Sequence, residues 1–371
     1  MSDLRAPFIW FGGKRRVVDV VWRALGNPPN YVEPFCATLA VLLGRPGGAG
    51  KIETVNDLDA DIANFWRAMI ASPEALAEAA DWPVNEADLH ARSERMRVTL
   101  PEHRERMHGD PDYFDAQRAG IWVWGVCTAI GGNWMDSKGK NASPRLCGWV
   151  SGNGLHAAGT MPALGHSGRG IHRPEREALV DWFRALQARL RRVRVACGDF
   201  ERVLAGSVTG ESNSLKNMGM SPCGVFLDPA YDKHEDCYLV DGAGGSARAR
   251  KWALDHGDDP HFRIALCGYE GEHTMPATWT EHAWKAQGGH ANRSAENKNR
   301  HRERIWFSPH CLPIDGQRSL FGGAARAPHP RVTATMPHAG RSARSLMPGD
   351  VTLDCGQRTA ELESAEKGAA E

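Results

Sequence analysis

The chain has no surplus of charge. Its 371 residues hold 45 Lys+Arg and 45 Asp+Glu, so no long-range field draws it toward a polyanion, and any nucleic-acid contact must come from local patches. It also lacks a long hydrophobic run. The most apolar stretch, Ile121 to Gly131, is about half the ~20 residues that a membrane-spanning helix needs. The opening MSDLRAPF has no basic segment leading into an apolar one, so no secretory signal is expected and a cytoplasmic location is. The nine cysteines are odd in number, scattered and without a CxxC pair. They read as free thiols in a reducing compartment. A zinc set from Cys127, Cys147, His166 and His172 fits no standard ligand spacing, so no metal is expected. Beyond Leu312 aromatics run out, with Phe321 alone among Gly, Pro, Ser, Ala and Arg. Such a stretch cannot bury enough surface to offset its ordering entropy, and 313–371 is expected to be a disordered tail.

What is present reads as α/β. Tyr31–Phe35 and Ile52–Asn56 are strand candidates, and Asp59–Met69 places Ile62, Phe65, Trp66 and Met69 at helical spacing. Together they open a βαβ layout with a parallel sheet. From Ser72 to Met107 the chain is charged and helix-prone, and Asp112–Ile130 is a Trp- and Ala-rich buried helix. Gly131–Gly170 holds ten glycines in a long loop. Pro174–Arg192 returns to helical periodicity, with Leu179, Trp182, Phe183, Leu186 and Leu190 on one face. Strand patterns then resume at Val193–Ala196, Gly224–Leu227, Arg263–Cys267 and Arg304–Ser308. The sheet is therefore expected to be split by an insertion of more than a hundred residues.

Four segments carry chemistry. Val225–Tyr231 is an apolar strand ending in Asp228-Pro229-Ala230-Tyr231. In an open α/β sheet ligands sit at the carboxyl ends of strands. A carboxylate, stiffly held carbonyls and an aromatic ring there suit a flat heterocycle bearing an exocyclic amine. Tyr31-Val-Glu33-Pro34-Phe35-Cys-Ala-Thr-Leu-Ala40 reads as strand, tight turn and helix, a turn that brings backbone N–H groups to a ligand. Thr54-Val-Asn56-Asp57-Leu-Asp59 ends a strand in acid about twenty residues later. Such an acid accepts from ribose hydroxyls, or Asp57 or Asp59 simply caps the next helix. Trp10-Phe-Gly12-Gly13-Lys14 lets backbone pass close to a ligand and offers a cation for its carboxylate. It is no P-loop, because the GxxxxGK[ST] spacing is missing.

Taken together these segments resemble the Dam-type DNA adenine methyltransferases, in order and spacing as well as in residues. Trp10–Lys14 resembles that family's WxGGK, Tyr31–Leu43 its YVEPFxGxxAVLL, Asn56–Asp59 its NDxxxD, Gly198-Asp199-Phe200 its short acidic motif and Asp228–Tyr231 its DPPY. Leu266–His273 and Arg302–His310 look like phage and prophage members. The likeness covers roughly residues 5–70 and 190–312. It implies a Rossmann-like methyltransferase sheet, mostly parallel with an antiparallel last strand, built from 1–71 and 191–312. A target-recognition insertion of helices and Gly-rich loop would span 72–190.

The resemblance further implies S-adenosylmethionine as cofactor, bound by Trp10, Gly12, Gly13, Lys14, Glu33, Pro34, Phe35, Asp57, Asp199, Phe200 and Asp228. Asp228, Pro229 and Tyr231 would act on a flipped-out adenine. Double-stranded DNA is the expected partner of a monomer, with room for a restriction endonuclease in the same cell. Methylation of the cytosine amine, or a silent DNA-binding relative, are the competing readings. Between Lys138 and Arg194 eleven Lys/Arg face three Asp/Glu, enough for phosphate contacts. Lys138, Lys140 and Arg145 in the loop, with Arg300 and Arg302 in a second basic cluster, are the expected DNA contacts. The arginines at 184–194 read instead as a solvated helix face, and Trp122, Trp124 and Trp134 as core.

Two departures from the family pattern stand out. Ala230 replaces a proline, and the cofactor turn Cys36-Ala37-Thr38-Leu39-Ala40 has no glycine. If position 37 needs φ > 0, Ala there costs on the order of 1 kcal/mol, and its methyl would crowd the cofactor.

Overall fold

The computed structural model describes residues 4–8, 10, 12–129, 170–172, 176–211, 216–231, 244–285 and 302–314. Met1–Gln317 is one compact unit. Its centre is a seven-stranded sheet of β1 (Asn30–Glu33), β2 (Ile52–Asp57), β3 (Arg194–Cys197), β4 (Cys223–Leu227), β5 (Phe262–Tyr269), β6 (Thr280–Ala283) and β7 (Glu303–Phe307). The order is β3-β2-β1-β4-β5-β7-β6. Neighbours are parallel as far as β5, and β7 runs antiparallel to both β5 and β6. The strand order reverses between β1 and β4. At such a switch point the flanking loops diverge and leave a crevice at the strands' carboxyl ends.

Why these residues form strands is clear for most of the sheet. In β1, β4 and β7 every residue is buried; Tyr31, Val32, Val225–Leu227 and Ile305–Phe307 supply the apolar side chains this needs, while the buried Asn30, Glu33, Glu303 and Arg304 take hydrogen bonds instead. β1 stops at Glu33 because Pro34 has no N–H to continue the ladder. β6, Thr-Glu-His-Ala, is a mostly exposed edge strand. It has no hydrophobic alternation, and no local pattern marks it as a strand. Its pairing with β7 is a tertiary effect.

The helices are α1 (Val18–Leu25), α2 (Ala40–Leu43), α3 (Ala60–Ala71), α4 (Pro73–Ala80), α5 (Glu86–Val98), α6 (Leu100–Gly109), α7 (Ala116–Thr128), α8 (Arg176–Leu190), α9 (Gly206–Thr209) and α10 (Gly245–His256). Asp59 caps α3 by accepting from Asp61 N at 2.8 Å, the capping role that sequence left open for it. The helix expected over 112–130 is α7, and that expected over 174–192 is α8. The charged stretch from Ser72 divides into α4, α5 and α6, with proline in the first turn of α4 and of α6, where its missing N–H costs nothing.

α7 packs on α4 and α3, and α8 on α4 and α3. The α4–α7 contact is close: a Cβ on Gly120 would lie 2.4 Å from the Ala79 Cβ. Trp122 and Trp124 are fully buried, as expected. Trp122 joins Phe8, Phe65 and Trp66 in one aromatic cluster, with Phe8 to Trp122 at 5.0 Å and Phe65 to Trp66 at 4.9 Å. Trp134 lies outside the described residues. A buried ion triad ties α8 to the sheet. Glu53 of β2 accepts from Arg45 at 3.0 Å and from Arg189 of α8 at 2.7 Å.

Candidate active site at the switch point

The polypeptide ends of β1, β2 and β3 are laced together by one side chain. Asn56 Nδ2 donates to Pro34 O at 3.0 Å and to Gly198 O at 2.9 Å, while the Asn56 carbonyl accepts from Cys36 N at 2.9 Å. This fixes the turn after β1. Within that turn Ala37 has φ +35° and Leu39 φ +52°, the left-handed region that favours glycine. The strain expected at position 37 is present. It is held by Asp57, whose Oδ2 accepts from Ala37 N at 3.0 Å and whose Oδ1 accepts from Asp59 N at 3.0 Å. Trp66 Nε1 donates to Ala37 O at 2.8 Å from below. Burial lifts the Asp57 carboxyl to about 6 and the Asp59 carboxyl to about 7. Glu33, at the end of β1, accepts from Tyr31 OH at 2.8 Å and from Leu42 N at 3.2 Å, and burial lifts it to about 8.

Phe35 and Phe200 meet with tilted rings, centroids 4.9 Å apart, across the ends of β1 and β3. Asp199 beside them is engaged: Arg248 of α10 holds it with two N–H groups at 2.9 and 3.0 Å. That fork keeps the Asp199 carboxyl below the usual range. The Arg248 guanidinium also lies 4.8 Å from the Phe200 ring.

On the β4 side Asp228 follows the last strand residue. Its Oδ1 lies 2.7 Å from Lys14 Nζ, with side chains 21% and 4% exposed respectively. Lys14 also donates to Gly12 O at 2.8 Å, and Gly12 takes φ +72°, so the glycine lets the lysine fold back on its own loop. Burial alone would depress the Lys14 ammonium, but Asp228, Cys267 and Glu303 together outweigh that and hold it above its ordinary value. Burial pushes the Asp228 carboxyl up, with Lys14 pulling it back. Lys14, expected to meet a ligand carboxylate, therefore meets the chain's own. Tyr231 OH reaches Glu303 Oε2 at 2.9 Å and Asp228 Oδ1 at 3.4 Å. The Tyr231 ring is edge-on to Tyr269 at 4.6 Å, and Lys14 Nζ is 5.3 Å from its centroid. Trp284, beyond β6, has its ring 5.9 Å from the same ammonium, and its buried indole N–H has no acceptor among the described residues.

The crevice thus brings together Lys14, Glu33, Pro34 and Asp228, with Phe35, Asp57, Asp199 and Phe200 at the adjoining strand ends. Trp10 packs on the aromatic cluster, 5.9 Å from Trp122, and Gly13 is in the loop between Trp10 and Lys14. Pro229 is buried after β4. Arg302 donates to Glu270 O at 3.0 Å and lies 5.5 Å from the Tyr269 ring. Lys138, Lys140, Arg145 and Arg300 fall outside the described residues, as do Cys147 and His166 of the zinc set. Sequence reading missed Arg248 and Glu303, because only sheet register and helix packing bring them to the motifs. A separate cavity of about 170 Å³ among α5, α6 and α7, lined by Arg95, Arg106, Tyr113 and Arg118, lies away from these strand ends.

Among the described residues no helix is long and apolar enough to cross a membrane, and no group of three or more His, Cys, Asp or Glu could hold a metal ion. No curated protein matches the chain. The family model for "D12 class N6 adenine-specific DNA methyltransferase" matches residues 10–99, from Lys14's loop through the turn after β1 and Asp57 to α4 and α5. With that match over residues 10–99, and a mostly parallel sheet closed by an antiparallel strand, the chain is similar to the D12 class N6 adenine-specific DNA methyltransferases, enzymes that draw their methyl group from S-adenosylmethionine.

Proposed function

We propose that this chain methylates the exocyclic amine of an adenine drawn out of duplex DNA at a defined sequence, with Asp228 receiving the amine. The observation that carries the reading is Asp228 at the carboxyl end of β4, held by Lys14 at 2.7 Å and on the strand that pairs parallel with β1 at the switch point. The residues fit the cofactor. The Phe35–Phe200 ring pair offers an aromatic surface, Asp57 anchors the turn, and Asp199 offers a carboxylate that a purine amine would share with Arg248 or take from it. S-adenosylmethionine, when bound, supplies a methyl on a positively charged sulfur.

The chain's own residues do the rest. Asp228 Oδ1 is taken by Lys14, which leaves Oδ2 to accept from the amine and orient its nitrogen. No strong base is needed before attack, because the amine attacks through its lone pair and its proton leaves after transfer. Extruding a base costs a few kcal/mol. Stacking on Tyr231 returns roughly 1–3 kcal/mol, and the base must displace what now covers that ring, which is 7% exposed. DNA contact is assigned to Arg302 and to Lys138, Lys140, Arg145 and Arg300.

The test is Asp228→Ala. Transfer of labelled methyl to unmethylated genomic DNA should fall at least a thousandfold, while DNA affinity in a gel-shift assay stays within about threefold. Undiminished incorporation would eliminate this site. Calorimetric titration of the wild type with S-adenosylmethionine checks the cofactor turn: heat of binding is expected, and none at millimolar cofactor would mean that the glycine-less turn no longer serves.

A further inference from the structure

β7 carries none of the motifs that mark the site, yet its first residue reaches the centre of it. Glu303 is 4% exposed, and its Oε2 accepts from Tyr231 OH at 2.9 Å. A phenol has one proton to give. The other acceptor in reach, Asp228 Oδ1, is 3.4 Å away, long for an O–H···O bond, and already receives Lys14 at 2.7 Å. The proton therefore goes to Glu303.

The backbone of Glu303 is pinned as well. It stands opposite Tyr269 in the antiparallel β5–β7 register, its carbonyl accepts from Trp284 N at 3.1 Å, and the preceding carbonyl, Arg302 O, accepts from Glu270 N at 2.6 Å. Tyr269 in turn presents its ring to Tyr231 at 4.6 Å and 69°. The β5–β7 pair therefore grips Tyr231 twice, at the hydroxyl and at the ring.

We infer that Glu303 is a positioning residue for methyl transfer: it fixes the plane of the Tyr231 ring and keeps the phenol proton off Asp228, so that the carboxylate stays open to the base amine. This rests on the reading that residues 228–231 receive the base. A merely structural carboxylate, placed to balance Lys14, would look similar in a single substitution. It would not be coupled to the Tyr231 hydroxyl.

The experiment is a double-mutant cycle read by single-turnover transfer of labelled methyl to unmethylated genomic DNA. Glu303→Leu should slow transfer at least tenfold in the wild-type background and less than twofold in a Tyr231→Phe background. Glu303→Gln, which keeps an acceptor oxygen, should stay within threefold of wild type. Tyr231→Phe alone should reproduce the Glu303→Leu loss, and it decides the matter if the leucine variant does not fold. Equal losses from Glu303→Leu in both backgrounds, or wild-type rates in Tyr231→Phe, would overturn the assignment. Full activity of Asp228→Ala would instead remove the reading beneath it.

Discussion

Ala37 shows how much a single residue can carry at this site. Its φ of +35° would suit glycine, and its neighbours hold it there through Asp57 and Trp66. A non-glycine residue in left-handed backbone is strained by roughly 1–2 kcal/mol, while glycine lowers stability by about 0.5–1 kcal/mol through its greater freedom when unfolded. Ala37→Gly should therefore stabilise the chain by about 0.5–1 kcal/mol, measured by urea unfolding; a loss of stability would mean that the strain is relieved in some other way. Leu39 has the same backbone problem at φ +52° but is fully buried. There a glycine would forfeit a core side chain whose truncation costs about 2–5 kcal/mol, so packing outweighs backbone relief.

At the scale of elements, Glu33 is the joint between β1 and α2, accepting from Tyr31 on one side and Leu42 N on the other. Burial holds its proton to about pH 8, against an ordinary value of 4.5. In the unfolded chain the proton leaves near the ordinary value, so between those limits the folded state binds more protons and stability falls as pH rises. The contribution is fully present below about 4.5 and is gone above about 8. Asp57 and Asp59, lifted to about 6 and about 7, slope the same way over their own ranges. Glu33→Gln should remove Glu33's share, making the variant gain on the wild type by roughly 2–4 kcal/mol between pH 5 and 8.5. Parallel stability curves for the two proteins would show that Glu33 is ionised in the fold.

For the molecule as a whole, the packing of α8 on the sheet depends on a few buried polar ties. Glu53, 2% exposed, joins Arg45 and Arg189, and so holds α8 against β2. Removing one member of such a group leaves charge buried without a partner, which costs about 3–5 kcal/mol. Glu53→Ala should lose that much in urea unfolding, and a loss below about 1 kcal/mol would mean that both arginines find water. The aromatic cluster of Phe8, Phe65, Trp66 and Trp122 is a second tie, linking the segment before Lys14 to α3 and α7.

Much of this is legible in the sequence. Apolar runs marked β1, β2, β4, β5 and β7, because a strand buried on both faces needs such residues. Helical spacing marked α3, α7 and α8, and the four motifs named the residues at the strand ends. What sequence could not carry is whatever depends on partners far along the chain. β6 forms only because β7 offers it a ladder. Lys14 turns to Asp228, more than two hundred residues on, rather than outward to a ligand. Arg248 closes on Asp199, and Glu303 meets Tyr231, through sheet register and helix packing that no local pattern encodes. Local chemistry determined which groups are available at the switch point. Long-range packing decided which of them touch, since a hydrogen bond depends on atomic placement to a fraction of an ångström, and only the assembled sheet provides that.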